Sequence, residues 1–180
     1  MSVTLVTGVT GVGLTSVCQA VRGTLDGDYK LLNFGDIMLE QAATSGITTD
    51  RRELATLTQT QTRRLQRRAG EFVADAATES NVILSTHLAV ETDVGYLQGL
   101  PDEVLYDVSP TAFILVEADP ETILSRRGSD QDSQDSERKV AFEQQLNRSA
   151  ALQYAREQGV PVQFLENEGS IEDAAERMAD

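Results

Sequence analysis

A glycine-rich segment directly after a short apolar run constrains the fold of this chain more than any other feature. Val3, Leu5 and Val6 lie in a run too short for a helix, and residues 8–15, GVTGVGLT, follow it before a helix-like stretch at about 15–25. Glycines let a loop turn its backbone N–H groups inward around an anion, because they tolerate positive φ and carry no Cβ. The sequence therefore predicts a strand, a phosphate-binding loop and a helix in that order.

The spacing of residues 8–15 matches the phosphate-loop pattern GxxxxGK[ST] except at Leu14, which stands where the pattern has lysine. The helix that begins near Thr15 adds its N-terminal dipole and unpaired amides, so anion binding needs no lysine in principle. Thr15 would hold Mg²⁺ through its hydroxyl. A Gly-rich turn can also be only a tight strand-to-helix connection, but three glycines in six residues and the terminal threonine favour nucleotide phosphate binding.

Length and composition limit the class of protein. A chain of 180 residues is expected to form one domain, residues 1–180, that buries roughly 70% of its unfolded surface. No apolar run approaches the roughly 20 residues of a membrane span, and the N-terminus lacks the pattern of a signal peptide. Cys18 is the single cysteine and is expected to face the core. These features predict a cytoplasmic protein with no membrane partner.

The chain is strongly acidic, with a formal net charge of −14, and its only lysines are Lys30 and Lys139. Such a surface repels phosphate backbones, which argues against nucleic acid as a partner. The charge also suggests a halophilic origin, because a high-salt cytoplasm screens the self-repulsion that would loosen the fold. An acidic protein from a mesophile is the alternative.

Apolar runs alternate with helical patterns along the whole chain. We predict strands near 3–6, 29–34, 82–85, 112–116 and 160–165, and helices near 36–43, 50–57, 61–79, 102–108, 119–127, 138–158 and 170–178. Residues 95–101 are predicted to be a loop, and Asp119-Pro120 to cap and start a helix. This order predicts an α/β fold, a five-stranded parallel sheet with helices on both faces and a ligand at the carboxyl ends of its strands.

The chain resembles the archaeal-type adenylate kinases in motifs that follow one another in order along nearly its whole length. They are VTGVTGVG at 6–13, NFGDIM at 33–38, DR at 50–51, RLQ at 64–66 with AG at 69–70, TH at 86–87, GYLQGLP at 95–101, EADP at 117–120 and NR at 147–148.

This resemblance implies a P-loop NTPase-type kinase that converts ATP and AMP to two ADP with Mg²⁺, commonly as a homotrimer. The residues expected to contact ATP are Gly8, Val9, Thr10, Gly11, Val12, Gly13, Leu14, Thr15 and Ser16. The residues expected to contact AMP are Gly35, Arg51, Arg64, Thr86, His87 and Tyr96, with residues 44–71 as the AMP-binding segment. We expect His87 to form hydrogen bonds rather than transfer protons. Residues 95–101 could equally be a plain ordered loop.

Phosphoryl transfer requires cations that neutralise phosphate charge, and three arginines are the catalytic candidates. Arg126 and Arg127 precede the polar segment 128–137, a candidate lid, and Arg148 follows it. Arg126 and Arg127 could equally compensate a helix dipole. A further set, Arg63, Arg64, Arg67 and Arg68, either answers a phosphate or forms a solvated charged face with Glu71 and Asp75.

Four positions depart from the charge pattern that the resemblance implies. Leu14 replaces the loop lysine, Ser85 an Asp expected to hold Mg²⁺ through water, and Ala55 an Arg, while residues 129–137 lack the lid arginines. Each lost transition-state cation could cost on the order of 10³-fold in rate. The alternative function is therefore a catalytically weakened adenine-nucleotide-binding protein that acts as a sensor or partner module. A kinase for another nucleoside monophosphate is a third hypothesis.

Overall fold

The sheet predicted from the alternation of apolar runs forms the centre of the molecule. The computed structural model describes residues 1–24, 28–92, 95–128 and 134–169. Five parallel strands form one sheet in the order β2-β3-β1-β6-β7, and β4 and β5 form a separate antiparallel hairpin. The strands are β1 Val3–Thr7, β2 Tyr29–Asn33, β3 Asn81–Thr86, β4 Ala89–Thr92, β5 Gly95–Gln98, β6 Ala112–Glu117 and β7 Val162–Glu166. The helices are α1 Leu14–Thr24, α2 Phe34–Thr44, α3 Gln59–Glu79, α4 Asp102–Val108, α5 Pro120–Arg127 and α6 Gln134–Gln158, with a 3₁₀ helix at Arg51–Thr56.

Alternating side chains of the central strands pack into two cores, one on each face of the sheet. In β6, Phe113 packs into a core with residues of α2, α3, α4 and α6, and Ile114 into a second core with residues of α1 and α5. Successive residues of a strand point to opposite faces, so a strand covered on both sides is apolar throughout. This explains why the central strands read as continuous apolar runs, and it confirms the predicted fold class.

Several helices and strands begin or end at residues other than the predicted ones. The prediction of a loop over residues 95–101 is wrong at its start, where Gly95–Gln98 pairs with Ala89–Thr92 as a hairpin. Helix α6 begins at residue 134, four residues before the prediction, and α3 begins at Gln59 behind a Thr58–Gln61 capping box. Asp119 precedes α5, but its side chain makes no capping hydrogen bond. The predicted closing helix, 170–178, and residues 129–133 of the predicted lid lie outside the described residues.

The carboxyl ends of the three central strands form the edge on which the site is built. Thr7 ends β1 opposite Thr86 of β3, while Glu117 ends β6 next to them. The glycine-rich loop leaves this edge directly after Thr7, and His87 leaves it after Thr86. Among the described residues, no helix is long and apolar enough to cross a membrane.

Candidate active site at the carboxyl edge of the sheet

Two glycines of the loop are needed for its conformation. Gly11 and Gly13 have φ of +87° and +89°, a region that side-chain-bearing residues rarely adopt. A Cβ on Gly13 would also lie 2.6 Å from Nδ2 of Asn167. The loop closes with a hydrogen bond of 3.1 Å from the Val12 N–H to the Val9 carbonyl, and α1 begins at Leu14. The unpaired amides at the start of α1 therefore lie next to the loop.

Arg126 and Arg127 lie against this loop. An Nη of Arg126 donates to the Val12 carbonyl at 3.2 Å, and Nε of Arg127 donates to the Thr10 carbonyl at 2.8 Å. Both residues are in the last turn of α5, where a cation also meets the negative end of the helix dipole. The contacts place positive charge beside the loop, which is compatible with either predicted role.

Leu14 supplies no such charge. Its side chain is 8% exposed and packs with residues of α1 and α5 in the core under the loop. Leu14 also contributes to the wall of a cleft. The positive charge near the loop therefore comes from α5 rather than from the position at which the pattern has lysine.

A cleft of about 730 Å³ opens over the loop and the start of α1. Thr15 and Ser16 are exposed in it, as a phosphate-binding role requires. Its lining residues are Val9, Thr10, Gly11, Gly13, Leu14, Thr15, Ser16, His87, Arg126, Asn167 and Gly169. We call this the loop cleft.

Asn167 is a loop-cleft residue that the sequence analysis missed. Its Nδ2 donates to the Val12 carbonyl at 2.7 Å, so it holds the loop from the end of β7. Asn167 is 1% exposed, and in the described part of the chain its Oδ1 is buried without a hydrogen-bond partner. Its position directly after the last apolar strand, at the carboxyl edge, was the available signal.

A second cleft, of about 370 Å³, lies between the loop and the β4–β5 hairpin. We call it the hairpin cleft; its lining residues are Val9, Thr10, His87, Ala89, Val90, Glu91, Tyr96, Arg127 and Glu143. It shares Val9, Thr10 and His87 with the loop cleft. His87 Nδ1 lies 2.6 Å from the Gly8 carbonyl, which requires that Nδ1 carry the proton and donate it. His87 thus makes a hydrogen bond at the junction of the two clefts.

The remaining predicted AMP residues are spread over four places. Tyr96 lies in the hairpin cleft, where desolvation and then Glu143 and Glu91 raise its pKa, and Thr86 is buried at the end of β3. Arg51 lies beside Gly35 and forms an ion pair with Asp36. Arg64 is exposed on α3 and lines neither cleft.

The arginine set on α3 forms a solvated face. Arg63, Arg64 and Arg67 are exposed, and across the described ranges none of the three forms an ion pair with Glu71 or Asp75. Arg68 donates to the Ser45 hydroxyl at 2.6 Å. Three of the four arginines are therefore exposed to solvent, and these three lack the predicted acidic partners.

Arg148 does not reach either cleft. Its guanidinium forms a two-point ion pair with Glu117, with Nε 2.9 Å from Oε1, and this contact raises the pKa of Arg148. Glu117 is 6% exposed at the end of β6. Arg148 thus neutralises a buried carboxylate at the carboxyl edge.

Helix α6 is tied to this edge by two more polar side chains that the sequence analysis did not single out as site residues. Gln144 exchanges hydrogen bonds of 2.9 and 3.1 Å with the backbone of Ala118. Oδ1 of Asn147 accepts from the Thr7 hydroxyl and from the Leu88 N–H. Their spacing with Arg148 along one face of a long helix was the available signal. The helix that follows the predicted lid is thereby fixed to the sheet.

Ser85, at the expected Mg²⁺ position, is buried in the sheet. Its hydroxyl donates to the Leu32 carbonyl at 3.3 Å and accepts from Asn33 at 3.2 Å. Among the described residues there is no cluster of three His, Cys, Asp or Glu side chains that could hold a metal ion. A metal ion at this edge would depend on the Thr15 hydroxyl and on ligand oxygens.

Comparisons with known proteins agree with the fold and the loop. A family model described as an AAA domain matches residues 7–143. The chain is 36% identical to the adenylate kinase of Methanothermobacter thermautotrophicus, over 99% of this chain and 97% of that protein. It is 38% identical to the adenylate kinase of Methanopyrus kandleri, over 92% and 88%. Shikimate kinase from Acinetobacter baumannii shares the fold, with a TM-score of 0.58, 15% identity and coverage of 99% and 90%.

Proposed function

Because the chain belongs to the archaeal-type adenylate kinase family and is a nucleoside monophosphate kinase, we propose that it transfers the γ-phosphoryl group of ATP to AMP and produces two ADP. The observation that carries this proposal is that the loop cleft and the hairpin cleft meet over Val9, Thr10 and His87. Two nucleotides bound one on each side would direct their phosphates at each other across this junction, as in-line transfer requires.

The ATP phosphates occupy the loop cleft in this proposal. Backbone N–H groups of residues 8–16 bind them, and Arg126 and Arg127 neutralise the charge that develops on the transferred group. Arg126 lines the loop cleft and Arg127 the adjoining hairpin cleft, so the pair supplies the positive charge that Leu14 does not. Arg148 acts from outside both clefts by neutralising Glu117, which would otherwise oppose phosphate binding at the edge.

Mg²⁺ enters with ATP. The exposed Thr15 hydroxyl fits this ion, because Mg²⁺ in kinase sites takes most of its ligands from phosphates and water. When bound, Mg²⁺ would polarise the phosphoryl oxygens. Ser85 gives no second protein group, since its hydroxyl is used inside the sheet.

AMP occupies the hairpin cleft. His87 and Tyr96 lie in this cleft, and Thr86 supports His87 from the end of β3. Gly35, Arg51 and Arg64 lie outside the hairpin cleft, within or next to the AMP-binding segment 44–71. They would contact the nucleotide after Arg51 exchanges its ion pair with Asp36 for one with phosphate. In this assignment the single domain has an ATP side and an AMP side.

The direct test is coupled ADP formation from ATP, AMP and Mg²⁺, with Thr15→Ala as the loss variant. We expect turnover in the wild type and a loss on the order of 100-fold in Thr15→Ala, the scale found for groups that support a metal ion. Thr78→Ala, whose hydroxyl contacts only the Asp75 carbonyl of α3, is the matched control. ATP binding in calorimetry without any turnover would instead establish the sensor function.

The salt response and the assembly are separate proposals. We attribute the net charge of −14 to a halophilic origin and expect stability and turnover to rise toward molar KCl. An equal rate in an ammonium salt of the same ionic strength would show that K⁺ does not replace lost cations specifically. Sedimentation of the purified chain tests the homotrimer that the family resemblance implies.

A further inference from the structure

Glu143, in the wall of the hairpin cleft, joins the hairpin to α5 by direct contacts. Its side chain is only 12% exposed, and it lies at the interface of α6 with α5 and the hairpin. Oε1 accepts from the Tyr96 hydroxyl at 3.2 Å, and Oε2 accepts from an Nη of Arg127 at 2.8 Å. One carboxylate of α6 thus contacts the hairpin with one oxygen and α5 with the other.

The contacts continue to the loop. Arg127 uses its Nε on the Thr10 carbonyl while its Nη is held by Glu143, so the guanidinium is fixed at two points. The Tyr96 ring in turn packs edge-on against Phe142, with ring centroids 5.7 Å apart. The result is a continuous path from β5 through Glu143 and Arg127 to the phosphate loop.

The negative charge of Glu143 in the hairpin cleft requires an explanation. Glu143 lines the hairpin cleft, in which we place an anionic nucleotide, and a negative charge there repels phosphate. A neutral amide would avoid that repulsion, but its single oxygen could not accept from both donors as the two carboxylate oxygens do. The charge is useful if its task is to hold a guanidinium firmly, since charge-assisted hydrogen bonds are roughly twice as strong as neutral ones.

We propose that Glu143 is a positioning residue for phosphoryl transfer, which fixes Arg127 over the phosphate loop and Tyr96 at the wall of the hairpin cleft in one shared geometry. This inference rests on the proposed function. Glu143 touches no reacting atom; it acts through Arg127 and Tyr96. Misplacement of a catalytic group by about 1 Å can cost roughly 10²-fold in rate, so the effect falls on kcat rather than on nucleotide affinity.

The test compares Glu143→Gln with Glu157→Gln, which removes the same charge from an exposed site near the end of α6. We expect kcat of Glu143→Gln to fall by roughly 10²-fold while KM for ATP and AMP stays equal or decreases. Glu157→Gln should keep the wild-type kcat. An increase in affinity at unchanged kcat would overturn the proposal, because Glu143 would then be only a repulsive charge.

A cycle of variants distinguishes positioning from simple packing. Tyr96→Phe removes one hydroxyl and should lower kcat by roughly threefold to tenfold, the range of one hydrogen bond. When Glu143 is present, the effects of Tyr96→Phe and Arg127→Lys on the activation free energy should not be additive. In the Glu143→Gln background the two effects should be additive. Additive effects in both backgrounds, or a lower melting temperature with normal kcat, would overturn the proposal. Absence of wild-type turnover would overturn the proposed function, and this inference with it.

Discussion

The loop cleft and the hairpin cleft share three residues but are held together by different forces. The loop cleft has its shape from backbone conformation at Gly11 and Gly13 and from the buried Asn167, which contacts the Val12 carbonyl. The hairpin cleft has its shape from charged side chains on separate elements, above all Glu143 and Arg127. The first arrangement rests mainly on backbone and amide groups, whereas the second rests on an ion pair, whose strength depends on ionic strength.

The largest effect should come from removing the cation that serves the loop cleft. Arg126→Ala takes away the charge beside the Val12 carbonyl, where Leu14 gives none, and kcat should fall on the order of 10³-fold. Arg156→Ala, an exposed arginine in the last turn of α6, is the control and should keep its rate. A wild-type rate in Arg126→Ala would mean that the backbone amides and Arg127 stabilise the transferred group without Arg126.

A smaller effect, on the free energy of unfolding, is expected where the β4–β5 hairpin meets the carboxyl edge of the sheet. A Cβ on Gly99 would lie 1.8 Å from the His87 carbonyl, so Gly99→Ala must displace the backbone at the junction of both clefts. We expect a loss of about 3 kcal/mol in the free energy of unfolding, at the upper end for overpacking. Urea unfolding measures it.

Gly23→Ala provides the comparison for this glycine. Gly23 lies in α1, and outside that helix no atom of the described residues lies within 4 Å of its added Cβ, so alanine there should stabilise by about 0.5–1 kcal/mol. Similar losses in both variants would contradict the proposed role of the His87 contact.

The smallest effect should come from the outer ion pair of the hairpin cleft. Lys139 contacts Glu91 at 2.8 Å, but both side chains are about half exposed, so Lys139→Met should cost only about 0.5 kcal/mol at low salt. The carboxylate of Glu91 raises the pKa of Lys139 above its unfolded value, so this contribution is present below the unfolded pKa and disappears as pH rises through the folded one. Urea unfolding at about 0.05 M and about 1 M KCl should show the difference vanish at high salt. A cost that persists there would mean that the pair is shielded from solvent.

The sequence was sufficient for the sheet but not for the hairpin. The three central strands follow from continuous apolar runs, because a strand buried on both faces must be apolar throughout, and shorter apolar runs indicate the edge strands β2 and β7. Ala89–Thr92 and Gly95–Gln98 are four residues each and partly exposed, so neither gives a clear period. Only the tertiary structure showed that these two strands pair with each other.

The candidate active site also has a part that the sequence determined and a part that only the tertiary structure decided. The phosphate loop, the first turn of α1 and the role of its glycines were determined by the sequence itself, because φ preference and helix-start amides act over a few neighbouring residues. The link of Glu143 to Tyr96 and Arg127, and of Asn167 to Val12, was decided only by the tertiary structure. Single polar side chains that meet across 16 to 155 positions leave no local pattern, since their partners are chosen by how helices pack on the sheet.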